Sequence, residues 1–365
     1  MNADGAVAAA AGEIDVTVEG AAAVVTLNRP RALNALTTAM RAQIAAQLPR
    51  LARDPQVYCV IVRSACAKAF SAGGDVREIA AWGRQSPDLA RNAFREEYAL
   101  DWALDCFTKP TISLIDGVVM GSGVGISAYG THRVAGEGYR FAMPETALGL
   151  FPDVGAAYLF SRLPGEVGVY LGLTGRSIGR ADAYRLGLAT HCIPAALFEA
   201  IRGELKEAEP VDAVLDSRHV DPGPGEIEPY SDLIDRLFAG SSVERIMERL
   251  ASVTGPQSVW AEGVLADLKS RAPLSLKVTL RHIRAARALD LRETLQVDYR
   301  LACRFLEDHD FYEGVRATLI DKDRAPQWRP ARLEDVTDAM VAAYFAPIGV
   351  DELALPLRMQ MQEIR

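Results

Sequence analysis

Two Gly-rich segments constrain this chain most: Ser71-Ala-Gly-Gly-Asp75 and Gly117 to Gly125, each set between an apolar run of strand character and a helical pattern. Glycine lets the backbone turn tightly there and leaves main-chain N–H groups open to approach. One such loop is most simply a turn. Two in this order are suited to aim peptide N–H groups at a negative charge that develops on one atom, as an oxyanion hole does. Other uses of Gly-rich loops fail on their own chemistry. Neither segment is followed by the Gly-Lys-Ser/Thr of a nucleotide-phosphate cradle, and Gly121-Ser-Gly-Val-Gly125 lacks the spacing and acidic partner of a dinucleotide site. A serine nucleophile elbow would need glycine two positions either side of Ser122, where Met120 and Val124 stand.

The elements around these loops follow a β-β-α order. Ile14 to Asn28 alternates as a hairpin with Gly20 at its turn. Thr37 or Thr38 caps a helix carrying Met40, Ile44, Leu48 and Leu51, and Val57 to Val62 reads as a buried strand. Asp75 is placed to cap the next helix. A second unit repeats the theme: helix Leu89 to Phe107, strand Thr111 to Ile115, the second Gly-rich loop, then short strands at His132 to Ala135 and Arg140 to Ala142. Between Glu207 and Pro229 the chain turns Pro-rich and acidic with little apolar period. We therefore expect an α/β core over 13–206, a linker over 207–230, and a mainly helical region over 231–365, with helices at Leu233 to Leu250, Val259 to Arg271, Ser275 to Leu289 and Leu291 to Leu306.

The chain has 365 residues, 49% of them hydrophobic, which suffices for a large core, yet no window is apolar for the length a bilayer demands. A net charge of −8 argues against broad attraction to nucleic acid or anionic lipid. The first twelve residues are Ala-rich without a basic n-region, and read as a frayed tail rather than a secretory signal. Cys59, Cys66, Cys106, Cys192 and Cys303 are scattered, odd in number and not at metal-ligand spacing, which fits a reducing compartment, the cytoplasm, and no structural zinc.

A third segment carries acids among apolar residues: Phe141-Ala-Met-Pro-Glu145, then Asp153 in Phe151-Pro-Asp-Val-Gly155. Apolar surroundings disfavour an ionised carboxylate, and a second carboxylate nearby sharpens the effect, so the pair is a candidate for acid/base or nucleophilic work. The competing reading is structural, with Glu145 capping a helix or pairing with Arg140 or Arg162. Glu96 and Glu97 read as surface charges of their helix, one of them able to face a pocket. The histidines show no metal-ligand spacing and receive no role.

Leu27-Asn-Arg-Pro-Arg-Ala-Leu-Asn-Ala-Leu36, Ala69-Phe-Ser-Ala-Gly-Gly-Asp75 and Lys109-Pro-Thr-Ile-Ser-Leu-Ile-Asp-Gly117 resemble the signatures of the crotonase (enoyl-CoA hydratase/isomerase) superfamily, in that family's order. Phe94-Arg-Glu-Glu-Tyr98, Phe141 to Gly155, and Phe311-Tyr-Glu-Gly-Val-Arg-Ala-Thr-Leu-Ile-Asp-Lys-Asp323 resemble its 3-hydroxyisobutyryl-CoA hydrolase branch. The resemblance implies a crotonase-like spiral of β-β-α units, an acyl-CoA substrate, and an oxyanion hole at the N–H groups of Gly74 and Ser122. Hydratases of this fold carry two catalytic glutamates; the matching positions here are Gly125 and Glu145, so one is missing. The hydrolases instead pair Glu145 with Asp153, and Glu97 matches their additional substrate-contacting glutamate. Ser122 stands where their loop usually has glycine.

The resemblance thus implies hydrolysis of a short 3-hydroxyacyl-CoA thioester, 3-hydroxyisobutyryl-CoA first among them, in valine breakdown. Glu145 would act as nucleophile or as general base on water, and Asp153 would orient water or bind the substrate hydroxyl. The adenosine diphosphate end would lie near Arg29, Arg31, Ala72 and Asp75. Coenzyme A is part of the substrate; no metal or redox cofactor is called for, and homo-oligomeric assembly stays open. A hydratase or isomerase on the same fold, and a non-catalytic acyl-CoA-binding subunit, are the alternatives.

Overall fold

The structure is a computed structural model that describes residues 12–363. The N-terminal stretch expected as a frayed tail lies, up to Ala11, outside those residues. Strands β1 (Ile14–Glu19), β2 (Ala22–Leu27), β3 (Cys59–Ser64), β4 (Ala69–Ser71), β5 (Thr111–Ile115), β6 (Val118–Met120), β7 (His132–Ala135), β8 (Arg140–Ala142), β9 (Ile178–Gly179) and β10 (His191–Cys192) sort into two sheets. One runs β1-β2-β3-β5-β7-β10 and the other β4-β6-β8-β9. Each of the pairs β3/β4, β5/β6 and β7/β8 therefore sends one strand to either sheet before a helix or turn carries the chain onward. Repetition of that step is the expected β-β-α spiral. The ladders of the spiral are parallel, and β1–β2 and β8–β9 are antiparallel.

Period-two alternation explains why the larger sheet is buried on both faces. Ala23, Val25 and Leu27 of β2 and Val60 and Val62 of β3 join the main core, whereas Ala22, Val24, Cys59, Ile61, Ile112 and Leu114 face a second cluster on the other side. That second cluster is closed by Ile201 and Leu205 of one helix and Val211, Val214 and Leu215 of the next.

The helices of the spiral are α1 (Thr38–Arg53), α2 (Val76–Gln85), α3 (Pro87–Asp105) and α4 (Ser122–Ala128). There follow α5 (Ala156–Phe160), α6 (Val167–Thr174), α7 (Arg180–Arg185), α8 (Phe198–Leu205) and α9 (Val211–Asp216). Residues 207–230, expected as a linker, thus contain α9, whose single apolar face is too short to register as a period. The C-terminal region holds α10 (Ser231–Phe238), α11 (Val243–Ala251), α12 (Ser258–Ser270), α13 (Pro273–Ala285), α14 (Leu291–Leu306), α15 (His309–Val315), α16 (Asp338–Tyr344) and α17 (Arg358–Glu363). The helix expected over 233–250 is two helices. The chain leaves α10 through Ala239 and Gly240, and Ser242 restarts it by accepting a hydrogen bond from the Arg245 N–H at 3.3 Å.

The C-terminal helices share the main core with the spiral. Helix α14 packs along α3, and Arg95 of α3 donates to the Tyr299 hydroxyl of α14 at 2.7 Å. Helix α15 packs on the 3₁₀ turn Glu145–Leu148.

Candidate active site

Strands β4, β6 and β8 are parallel neighbours. Their carboxyl ends deliver Ala72 to Gly74, Gly121 to Ser122, and Met143 to Glu145 to the same edge of one sheet, where ligands of parallel sheets are generally met. All three segments border one cavity of about 520 Å³.

The loops abut closely enough to need their glycines. Gly73 and Gly121 have φ of 105° and 45°. A Cβ on Gly73 would lie 3.4 Å from the Met120 carbonyl oxygen, and one on Gly121 would lie 3.1 Å from Glu145 Oε1. Leu36 N–H donates to Gly73 O at 2.8 Å and Asp75 N–H to Leu36 O at 2.9 Å, which leaves the Gly74 amide outside that ladder. Ser122 is the first residue of α4, so its amide has no acceptor within the helix. Ser122 keeps φ outside the left-handed region, and its hydroxyl donates to Glu97 Oε1.

Glu145 opens its 3₁₀ turn with its side chain buried, and among the described residues Oε2 has no hydrogen-bond partner. Burial pushes its carboxyl up to about 8, Glu97 adds to the rise, and its own backbone N–H opposes it. The ion-pair alternative for Glu145 finds no support: Arg140 pairs with Glu226 at 2.8 Å, and Arg162 lies over the Tyr158 ring at 3.7 Å. Two glycines let α15 approach the turn: a Cβ on Gly314 would lie 2.3 Å from the Leu148 carbonyl, and one on Gly149 would lie 2.1 Å from Asp310 O.

Asp153 is buried across the cavity, where Tyr98 Oη donates to its Oδ2 at 2.9 Å. Its carboxyl is held well above the usual range, first by burial and then by Glu97, Glu145 and Asp298. Of the two helix glutamates Glu96 is exposed, and Glu97 is buried and borders the cavity. Glu97 Oε2 lies 3.5 Å from Nη1 of Arg41, itself buried and donating to Leu36 O and Thr38 Oγ1 at 3.1 and 3.2 Å. Beneath them Asp101 is buried, and its carboxyl is raised by burial and by Glu97 and Asp153. Asp101 fills the space at Gly125: a Cβ there would lie 2.5 Å from Asp101 Oδ1.

Arg29, Arg31, Ala72 and Asp75 border the cavity, as does Arg77. Asp75 stands at the expected N-cap position of α2, but its side chain makes no capping hydrogen bond. Its carboxylate accepts instead from Arg29 Nη1 at 2.8 Å, a partner that also donates to Ala35 O at 3.0 Å and pairs with Glu13 at 3.2 Å. Arg31 and Arg77 are exposed. Thr318 and Leu319, from a π turn over Arg316–Ile320, border the cavity from the C-terminal side.

Sequence reasoning missed Arg41, Tyr98, Asp101 and Arg77. Arg77 lies two positions after Asp75 and was within reach of a count of helix-start cations. The other three act across elements distant in the chain, which spacing does not reveal.

Two open-backbone loops, a carboxyl of raised pKa and a second acid around one cavity define an acyl-transfer or proton-transfer centre built on a β-β-α spiral. Residues 22–345 match the enoyl-CoA hydratase/isomerase family model. The chain is 42% identical to the mitochondrial 3-hydroxyisobutyryl-CoA hydrolase of Xenopus tropicalis over 354 residues, covering 94% of this chain and 91% of that protein. It is 40% identical to the human protein of the same name, with the same shares covered. Among solved structures it superposes on a carnitinyl-CoA dehydratase from Mycobacterium thermoresistibile with a TM-score of 0.88 and 37% identity, covering 94% of this chain and 98% of that one. An enoyl-CoA hydratase from Rhodobacter sphaeroides 2.4.1 gives 0.87 and 36%, over 94% and 100%. The chain belongs to the enoyl-CoA hydratase/isomerase family and has the crotonase fold. Among the described residues no helix is long and apolar enough to cross a membrane.

Proposed function

We propose that the protein hydrolyses a short 3-hydroxyacyl-CoA thioester, 3-hydroxyisobutyryl-CoA before others, releasing the 3-hydroxy acid and CoA. The observation that carries this is Glu145, buried beside Gly121 with Asp153 on the same cavity and no glutamate at position 125. The names of the curated relatives agree. The two solved relatives above carry the names of a dehydratase and a hydratase, so the reaction has to be argued from the site. A hydratase of this fold uses a second glutamate at position 125, and here Asp101 occupies that space.

In this reading the thioester carbonyl lies at the Gly74 and Ser122 amides, where a lost donor costs roughly 100-fold in rate. Glu145 then works by one of two routes. As nucleophile it attacks the carbonyl carbon, expels the CoA thiolate and leaves a mixed anhydride for water to open. As general base it takes a proton from the water that attacks. Asp153 orients that water or holds the 3-hydroxyl, and Glu97 contacts the acyl group. The CoA phosphates lie toward Arg31 and Arg77, with Arg29, Ala72 and Asp75 shaping the rim. The chemistry calls for no metal or redox cofactor, and a place in valine breakdown follows from the substrate. We read the compartment as the reducing cytoplasm on the five unpaired, buried cysteines; the relatives named above are mitochondrial proteins.

Thiol release and loss of the enoyl absorbance, followed side by side with crotonyl-CoA and with 3-hydroxyisobutyryl-CoA, separate the readings. Hydrolysis predicts thiol from the hydroxylated substrate and no hydration of crotonyl-CoA. Hydration without thiol release overturns the proposal, and tight CoA binding without either marks a non-catalytic subunit.

A further inference from the structure

The residue after Asp153 is backbone-strained. Val154 is fully buried with φ of 51°, and Gly155 follows at φ 76°, so two left-handed residues stand in succession. A β-branched side chain is a poor occupant of that region, and such a conformation persists only where its surroundings hold it.

Three elements hold it. Tyr129, just past α4, donates its hydroxyl to Val154 O at 2.6 Å. Asp298 of α14, fully buried, accepts the Gly155 N–H on Oδ2 at 2.7 Å. Its other oxygen, Oδ1, faces Nε2 of the buried His282 of α13 at 2.5 Å. The packing admits no side chain at position 155, where a Cβ would lie 2.1 Å from Tyr129 Oη and 2.6 Å from Leu291 Cδ1. None of Tyr129, Asp298 or His282 borders the cavity.

We propose that Tyr129 and Asp298, the latter braced by His282, are positioning residues that act jointly: both hydrogen bonds are needed to clamp the Val154–Gly155 turn in its left-handed form and so to fix where Asp153 stands in the cavity. The inference rests on the proposed role of Asp153 in thioester hydrolysis. It assigns the C-terminal helices α13 and α14 a part in the reaction that neither plays by touching substrate.

The strain itself supplies the test. A substitution at buried Asp298 endangers the fold, so Tyr129→Phe carries the experiment; it removes one hydroxyl and keeps the ring. A displaced catalytic group costs roughly 10- to 100-fold in rate, so we expect kcat for 3-hydroxyisobutyryl-CoA to fall by roughly that factor with KM within about twofold. Glycine adopts the left-handed turn without strain, so adding Val154→Gly in the Tyr129→Phe background should recover most of the lost kcat even though it removes buried apolar volume. A purely structural role predicts the opposite, a double variant worse than the single one. Tyr129→Phe with kcat within twofold of the parent, or a double variant no faster than Tyr129→Phe, overturns the clamp. Asp153→Asn run in parallel keeps the two questions apart: full activity there refutes the role of Asp153, whereas a large loss there with an unaffected Tyr129→Phe refutes the clamp alone.

Discussion

Arg41 and Glu97 meet in the acidic floor of the cavity, Nη1 to Oε2 at 3.5 Å, with both side chains buried. Breaking a buried pair by removing one partner costs about 3–5 kcal/mol, because the other is left without its counter-charge. Arg41→Met should therefore lower the unfolding midpoint and depress kcat/KM at least tenfold, as Glu97 and Asp101 lose a neighbouring cation. Removing both partners, in Arg41→Met/Glu97→Leu, should recover part of the stability and none of the activity. Thermal unfolding beside a thiol-release assay checks both.

The pH dependence has a defined sign. The Glu145 carboxyl rises from 4.5 to about 8, chiefly by burial. Either catalytic route needs the ionised form, so kcat/KM should rise with pH and level off above about 8. Stability runs the other way. Between about 4.5 and 8 the folded state binds more protons at this group than the unfolded chain does, so its contribution is fully present below 4.5 and lost as pH rises through 8. Glu145→Gln should consequently gain stability over the parent as pH increases, a trend that melting curves at pH 5 and pH 9 resolve.

Ser122→Gly removes the hydroxyl that engages Glu97 and keeps the amide. If the Ser122 amide is the carbonyl donor, kcat should stay within about threefold. Release of Glu97 should shift KM for 3-hydroxyisobutyryl-CoA against 3-hydroxypropionyl-CoA by roughly three- to tenfold, the net worth of one ordinary hydrogen bond. The ratio of kcat/KM for the two substrates reads this out.

Gly314→Ala probes how α15 holds the catalytic turn, since the added Cβ would lie 2.3 Å from the Leu148 carbonyl. Overpacking of this kind costs typically 1–3 kcal/mol. Because the displaced segment is the turn carrying Glu145, kcat should fall together with the unfolding midpoint. Ala substitution at Gly203, which meets nothing within 4 Å, is the control.

Much of this was legible in the sequence, for local reasons. Gly73 and Gly121 need positive φ, and the apolar runs Val57 to Val62 and Thr111 to Ile115 placed β3 and β5 ahead of them, so both loops were visible before any contact was known, whereas β4 and β6, three residues each, are too short to show a period. Glu145 and Asp153 stood out as acids in apolar surroundings. Glu97 was split from Glu96 only by resemblance, since the helix alone read as two surface charges. Arg41 was hidden among the apolar positions of α1, with no local mark that its guanidinium turns inward to α3. The Tyr98 contact with Asp153 spans 55 positions, and no sequence period reports such a pairing. The break at Gly240 and the burial of α9 escaped for a related reason: short amphipathic segments gain their order from the surface they cover.

The most direct test of the central claim is thiol release from 3-hydroxyisobutyryl-CoA by the purified protein and by Glu145→Gln, which keeps the shape of the side chain and removes its base and nucleophile. The catalytic role of Glu145 requires turnover by the parent without added cofactor and a loss of roughly 100-fold or more in kcat for the variant, with CoA affinity unchanged. Equal thiol release by the two proteins would contradict it.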